Sequence, residues 1–158
     1  MKNIETEIVI DAKPDVVWNT LMKTDEYEEW NPFVRKLEGK VEKGGQIAIT
    51  LKQINGKEME FKPTVTEFTP NRELRWQGKL FIKGIFDGEH YFKLEPVGRD
   101  KTKFIHGENF GGVLIPLMGG VLKSTEEGFK VMNEALKVRC ELGNARSVEQ
   151  GNNNEKQR

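Results

Sequence analysis

Ile4, Thr6, Ile8 and Ile10 alternate with Glu5, Glu7 and Val9. A period of two carried by β-branched residues predicts a half-buried strand. Asp11-Ala12-Lys13-Pro14 follows, and proline suits a first helical turn, where its missing N–H costs nothing. Val17 and Leu21, flanked by Trp18 and Met22, share one face of a short helix over 14–23. Residues 25–30 add a turn or two, closed ahead of Pro32, which disfavours helix in the residue before it.

From Phe33 to Phe110 the pattern is strand after strand: Phe33–Glu42, Gln46–Ile54, Glu58–Phe68, Glu73–Lys83, Phe86–Val97 and Thr102–Phe110. Gly44-Gly45, Asn55-Gly56, Thr69-Pro70-Asn71, Gly84 and Gly98–Lys101 separate them. Asn55-Gly56 is a two-residue hairpin signal in which both positions want positive φ. With the first strand this gives about seven, and links this short require antiparallel pairing. Alternation assigns an inner face to Ile47, Ile49, Leu51, Met59, Phe61 and Val65. It continues through Leu74, Trp76, Gly78, Leu80 and Ile82, then His90, Phe92 and Leu94, then Phe104, His106, Glu108 and Phe110.

The period then changes. Met118, Leu122, Thr125, Phe129, Met132, Leu136 and Cys140 step by three and four, with Val121, Gly128, Ala135 and Leu142 beside them. Lys123, Glu126, Glu127, Lys130, Asn133, Glu134, Lys137 and Glu141 take the opposite face, so the helix is amphipathic. Gly143 is read as its stop. The expected domain spans 1–142, and the polar tail 143–158 is expected to be disordered. Strand, short helices, a run of strands and one long helix make an α+β fold. The apolar stripe has only the sheet to bury against, which predicts a curved antiparallel sheet gripping the C-terminal helix.

Composition narrows the function. The 158 residues carry 25 Lys plus Arg and 25 Asp plus Glu, a formal net charge of zero. Such a balance argues against a nucleic-acid binder, which needs a basic face; it leaves weak self-association open. The single cysteine, Cys140, excludes an internal disulfide and a multi-thiolate zinc site. Without a signal-peptide pattern or an apolar run of membrane-spanning length, the expectation is a cytoplasmic protein with no stable membrane insertion. No phosphate loop, dinucleotide fingerprint or G-x-S-x-G elbow occurs, and no cofactor or metal is expected.

Four stretches carry a family likeness: Ile8–Trp18, a strand turning into a helix through Ala-x-Pro-x-x-Val-Trp; Tyr27–Phe33; Gly88–Pro96; and Thr102–Phe104 with Glu108–Gly112, Leu114, Pro116 and Leu117. Over residues 2–142 the chain resembles the START-like superfamily, also called SRPBCC, which includes Bet v 1, lipid-transfer domains and polyketide cyclases. It looks most like the bacterial polyketide cyclase/dehydrase branch. The resemblance implies a helix-grip fold. It is a poor guide to chemistry, because one fold hosts carriers, cyclases and chaperone activators.

His90 and His106, the two histidines, share inner faces with Glu108. Two imidazoles and a carboxylate can run acid–base chemistry on an enclosed ligand, or simply satisfy one another. Trp30 either plugs the core or rims a cavity; Trp76 is the better lining candidate. Gly128 either leaves room for a ligand or permits close helix–sheet packing. Glycine pairs at 111–112 and 119–120 make Val113–Met118 either a gate or a tight turn. The leading expectation is a carrier of a small apolar molecule, such as a lipid or polyketide, held between sheet and helix. Leu74, Trp76, Leu80, Phe92, Phe104, Phe110, Leu122, Phe129 and Met132 would line it, with His90, His106 and Glu108 at the ligand's polar end. The alternatives are a cyclase or dehydratase using those three polar residues, and an interaction module with a filled interior.

Overall fold

A computed structural model describes residues 1–79 and 87–155. Leu80, Phe81, Ile82, Gly84 and Phe86, and the strand ends expected among them, lie outside the described residues. The fold begins with β1 (Lys2–Ile10), α1 (Pro14–Met22), a 3₁₀ turn (Thr24–Glu26) and α2 (Tyr27–Trp30). Strands β2 (Val34–Gly39), β3 (Ile47–Lys52), β4 (Glu58–Phe61), β5 (Thr64–Thr69), β6 (Glu73–Lys79), β7 (Asp87–Pro96) and β8 (Thr102–Gly111) follow. A 3₁₀ turn (Ile115–Leu117) leads into α3 (Gly119–Glu155).

The helix-grip expectation holds. All strand pairs are antiparallel, in a five-stranded sheet ordered β1-β8-β7-β6-β5 and a three-stranded sheet ordered β2-β3-β4. Backbone bonds from Gly44 N to Val65 O, Val65 N to Gly45 O and Ile47 N to Pro63 O stitch the two together. The inner faces pack on α3 through Phe129, Met132, Leu136 and Cys140, all fully or almost fully buried.

The eight described strands exceed the expected seven because Glu58–Phe68 is two strands, not one. Pro63 interrupts it: proline cannot donate to a ladder, and the residue before it is sterically restricted. In the β3–β4 hairpin only Gly56 takes positive φ, at 85°; Asn55 does not, so the turn is not the doubly left-handed type expected. Asn55 Oδ1 instead accepts from Lys57 N at 3.0 Å.

The largest correction is at the C-terminus. Gly143 does not stop the helix, and Asn144–Glu155, expected as disordered tail, is helical. A glycine stop works by adopting positive φ, and Gly143 is not among the residues that do. Ser147 Oγ donates back to Gly143 O at 3.1 Å, and Asn144 Nδ2 to Asp11 O at 3.4 Å. Three stripe assignments also change. Val121 and Leu142, expected beside the buried face, are exposed; Asn133, expected on the solvent face, is buried.

Candidate functional site

Register brings the two histidines together. His90 on β7 lies opposite Glu108 on β8, and Phe92 lies opposite His106. The two imidazoles are therefore diagonal neighbours on one pleated face, within reach of long side chains. Trp76 on β6 lies opposite His90 and stacks on it, with ring centroids 4.4 Å apart and planes 4° from parallel. Phe129 descends from α3 onto His106, with centroids 3.9 Å apart. Phe92 and Phe104 complete the aromatic surround, at 4.8 Å and 5.9 Å from His106. At this level the space between sheet and helix is filled by the protein's own rings.

Inside that shell runs a chain of polar contacts. His90 Nε2 is 2.9 Å from His106 Nε2, and His106 Nδ1 is 2.9 Å from Asn133 Oδ1. Asn133 Nδ2 donates to Thr6 Oγ1 at 2.9 Å, and Thr6 Oγ1 donates to His106 O at 3.1 Å. His90 Nδ1 stands 3.5 Å from Glu108 Oε2. The direction follows from one carbonyl, since His106 O can only accept. Thr6 must donate to it, so Thr6 accepts from the Asn133 amide nitrogen, and Asn133 Oδ1 faces His106. His106 therefore carries its proton on Nδ1. Its Nε2 is left as acceptor, so His90 carries its proton on Nε2 and turns a bare Nδ1 toward Glu108.

Burial sets the charge of every member. It pulls His90 from 6.5 down to about 3 and pushes Glu108 from 4.5 up to about 8. His106 is held well below 6.5 by burial and by His90, against the pull of Asn133. The His90–Glu108 approach is thus a meeting of a neutral imidazole and a protonated carboxyl, not an ion pair. At 3.5 Å it is the slackest link in the chain. The Glu108 side chain keeps 16% exposure, so the chain runs from the edge of the interior inward to Asn133.

Phe33 closes the other side of this cluster. Its ring meets Phe129 at 5.6 Å and His106 at 6.4 Å. A Cβ on Gly128 would fall 2.5 Å from the Phe33 ring, so close packing, not free space, uses that glycine. Outward of Phe33 lies a groove of about 480 Å³ at the seam of β2, β3 and α3, walled in part by Arg35, Lys52, Ile54 and Val131.

Of the expected lining residues, Leu74, Trp76, Phe92, Phe104, Phe110, Leu122, Phe129 and Met132 are all buried. Trp30 is only partly buried and packs against Tyr27, with centroids 5.4 Å apart. Leu80 lies outside the described residues. Val113 and Leu117, in the expected gate, are 75% and 82% exposed. Cys140 is buried, which pushes its thiol up to about 11 and keeps it from acting as a thiolate. Among the described residues no group of His, Cys, Asp and Glu is arranged to hold a metal ion, and no helix is long and apolar enough to cross a membrane.

The site geometry sits in a recognisable frame. The profile of the family described as polyketide cyclase / dehydrase and lipid transport matches residues 1–145. The chain belongs to that family. Solved structures agree on the fold. A START superfamily protein from Mycobacterium smegmatis superposes with a TM-score of 0.71 at 19% identity, covering 89% of this chain and 97% of that one. The aromatase/cyclase from Streptomyces sp. R1128 gives 0.72 at 13% identity, covering 89% and 93%. A Thermus thermophilus protein gives 0.68 at 18% identity, covering 90% and 99%. No curated protein matches the sequence significantly.

Within this family member the buried chain makes stability depend on pH. An unfolded imidazole titrates near 6.5 and folded His90 near 3. Between those values only the unfolded chain binds the proton, so stability falls as pH drops below about 6.5. His106 acts in the same direction. For Glu108 the folded state binds the extra proton between 4.5 and about 8, so stability falls as pH rises through that window. Two imidazoles outweigh one carboxyl below about pH 6.5, and the carboxyl acts alone above it. Urea unfolding followed from about pH 4 to about pH 9 should therefore peak near pH 6.5, with a shallower alkaline limb because Glu108 is partly exposed. A profile that rises steadily through neutral and alkaline pH would contradict these protonation states.

Proposed function

We propose that this protein binds a small, largely apolar molecule between the sheet and α3, with the molecule's polar end directed to the Glu108–His90–His106–Asn133 chain. The observation that carries this reading is the chain itself: a directed run of paired polar groups set in an aromatic core. Polar groups in an apolar interior are costly unless satisfied, and a few of them at the end of a pocket orient a ligand. The family description, which names both cyclase chemistry and lipid transport, supports the same class of ligand. Because the rings fill the interior at this level, the molecule must displace something, and Phe33 is the ring between the groove and His106.

The test is native mass spectrometry of gently purified protein before and after organic extraction. A removable adduct is the expected result, and its mass identifies the ligand. Bare protein that also binds nothing from a panel of fatty acids, sterols and polyphenols would overturn the reading in favour of an interaction module with a filled core.

A second reading, dehydration or cyclisation of a polyketide-like substrate, is favoured by one detail. Glu108 holds a proton near neutral pH beside an imidazole with a free lone pair, which is how a general acid and its relay are poised. Glu108→Gln keeps the hydrogen-bonding shape and removes the transferable proton. A carrier survives that change with its affinity intact; a catalyst loses turnover while still binding.

A further inference from the structure

The outer face of α3 carries a second apolar stripe, turned away from the sheet. Val131, Ala135, Val138, Leu142 and Ala145 step by four, three, four and three, the spacing at which one helix seats against another. Val131 is 46%, Val138 55% and Leu142 57% exposed. Ala145 is also exposed, and Ala135 is half-buried. The stripe of Phe129, Met132, Leu136 and Cys140 already meets the sheet, so the helix has two apolar seams and the fold uses one. Single exposed apolar residues are ordinary; a run of them in heptad register is a patch that a partner covers.

Charge decides which partner. With the stripe at the a and d positions of a heptad, Glu134 and Glu141 form a row along one flank and Arg139 and Arg146 a row along the other. One flank is acidic and the other basic, so the surface complements itself. A two-fold axis parallel to the helix sets each acid row against the base row of the other copy, an isologous contact. Antiparallel copies would set acid against acid and base against base. The formal net charge of zero leaves no overall repulsion to oppose a second copy.

The charges are open to such a contact. Among the described residues the ion pairs of α3 join Glu126 to Lys130, Lys137 to Glu141, and Arg139 to Glu26 and Glu29; Glu134 and Arg146 form none. Arg139 bonds both glutamates through Nη2, at 3.0 and 2.9 Å, which leaves Nη1 for a further acceptor. Glu141 receives Asp11 N and Lys137 Nζ on Oε1, at 2.9 and 2.6 Å, which leaves Oε2. The seam stops at Ala145, because the next core position is Glu149, where two like charges would meet. About 21 Å of helix in contact falls short of the roughly 1,200 Å² of a standard stable interface, so the pairing is weak.

We infer that two copies of this chain pair through the Val131–Ala145 face of α3, as a weak parallel dimer with Glu134 and Glu141 of each copy set against Arg139 and Arg146 of the other. The contact uses no member of the buried polar chain, and it stands whether or not the interior takes a ligand.

Sedimentation equilibrium of the full chain tests this. At low salt the wild-type protein should dimerise with a Kd of about 10–100 μM, as suits so small an interface. L142E should abolish association up to a few hundred micromolar. Its thermal unfolding at a few micromolar should match wild type, because Leu142 is exposed in the single chain. R146E and E134K disturb no ion pair within the chain. Each puts two repulsions where two attractions stood and should weaken the dimer about tenfold, and added salt should narrow both effects. Orientation is read by cross-linking: on mild oxidation V131C and L142C should each form a disulfide-linked dimer with its own copy, since parallel copies put identical positions side by side. Native Cys140 is buried and does not compete. A wild-type protein that stays monomeric at a few hundred micromolar overturns the inference. A dimer that withstands L142E lies on another face and overturns the placement. A Kd unmoved by R146E and E134K overturns the charge matching. Linkage only between V131C and A145C in a mixture overturns the parallel orientation.

Discussion

Phe129→Ala should cost about 3–5 kcal/mol of folding stability, the range for removing a large aromatic from a packed core. Phe129 is fully buried and packs on both imidazoles of the polar chain and on the ring that closes it: His106 at 3.9 Å, His90 at 5.1 Å and Phe33 at 5.6 Å between centroids. Its neighbours cannot close the gap, because they belong to two strands and to the turn before β2, each fixed by its own backbone bonds. In a chain of this size each kcal/mol moves the midpoint by about 2–4 °C, so a fall of roughly 10 °C in thermal unfolding is expected. Val131→Ala, two residues along the same helix but 46% exposed, should stay within about 0.5 kcal/mol of wild type. Equal effects of the two changes would mean that Phe129 does not key the helix to the sheet.

That contrast shows why the fold was legible in the sequence. Phe129, Met132 and Leu136 recur at helical spacing, and His90, Phe92 and Leu94 at strand spacing; each period survives folding because each face meets one environment only. The sequence reading failed where the backbone rather than the side-chain pattern decided. Glu58–Phe68 alternates well enough to read as one strand, yet Pro63 removes a ladder donor in its middle. Gly143 looks like a helix stop, but a stop depends on φ, which a glycine permits without requiring.

The candidate site was half legible. His90, His106 and Glu108 could be grouped because strand alternation put them on one face. Their spatial grouping needed the β7–β8 register, which pairs His90 with Glu108. Asn133 and Thr6 were missed. Asn133 falls among Lys130, Glu134 and Lys137, and a polar residue between charged ones reads as solvent-facing. Its one sequence signal is position: Asn133 directly follows Met132 and lies four residues beyond Phe129, at the margin of the apolar stripe. Phe33 and Gly128 were legible separately, but not as a ring and the gap that receives it, since neither periodicity relates a turn to a helix so distant in the chain.

Asn133→Leu is the change that should most disturb the polar chain. Leucine shares the branched outline of asparagine and suits a helix, so packing loss is small. Hydrogen bonding is not: His106 Nδ1–H loses its acceptor and Thr6 Oγ1 its donor, both inside the core. A buried group left unpaired costs about 1–3 kcal/mol, so a loss of roughly 2–3 kcal/mol is expected. The sharper readout is the proton itself. In the wild-type protein Asn133 holds the His106 proton on Nδ1, and through it the His90 proton on Nε2. With leucine in its place, nothing opposes transfer of the His106 proton to Nε2, which would then confront the Nε2–H of His90 at 2.9 Å. One ring must change tautomer or turn away. Imidazole nitrogen NMR shifts should therefore report Nδ1–H on His106 and Nε2–H on His90 in the wild-type protein, and a changed pattern in Asn133→Leu. Asn133→Gln, which can restore an amide one methylene further out, should recover part of the wild-type pattern. Unchanged shifts in the leucine variant would mean that the chain takes its direction from Glu108 at its outer end, and that Asn133 fills space.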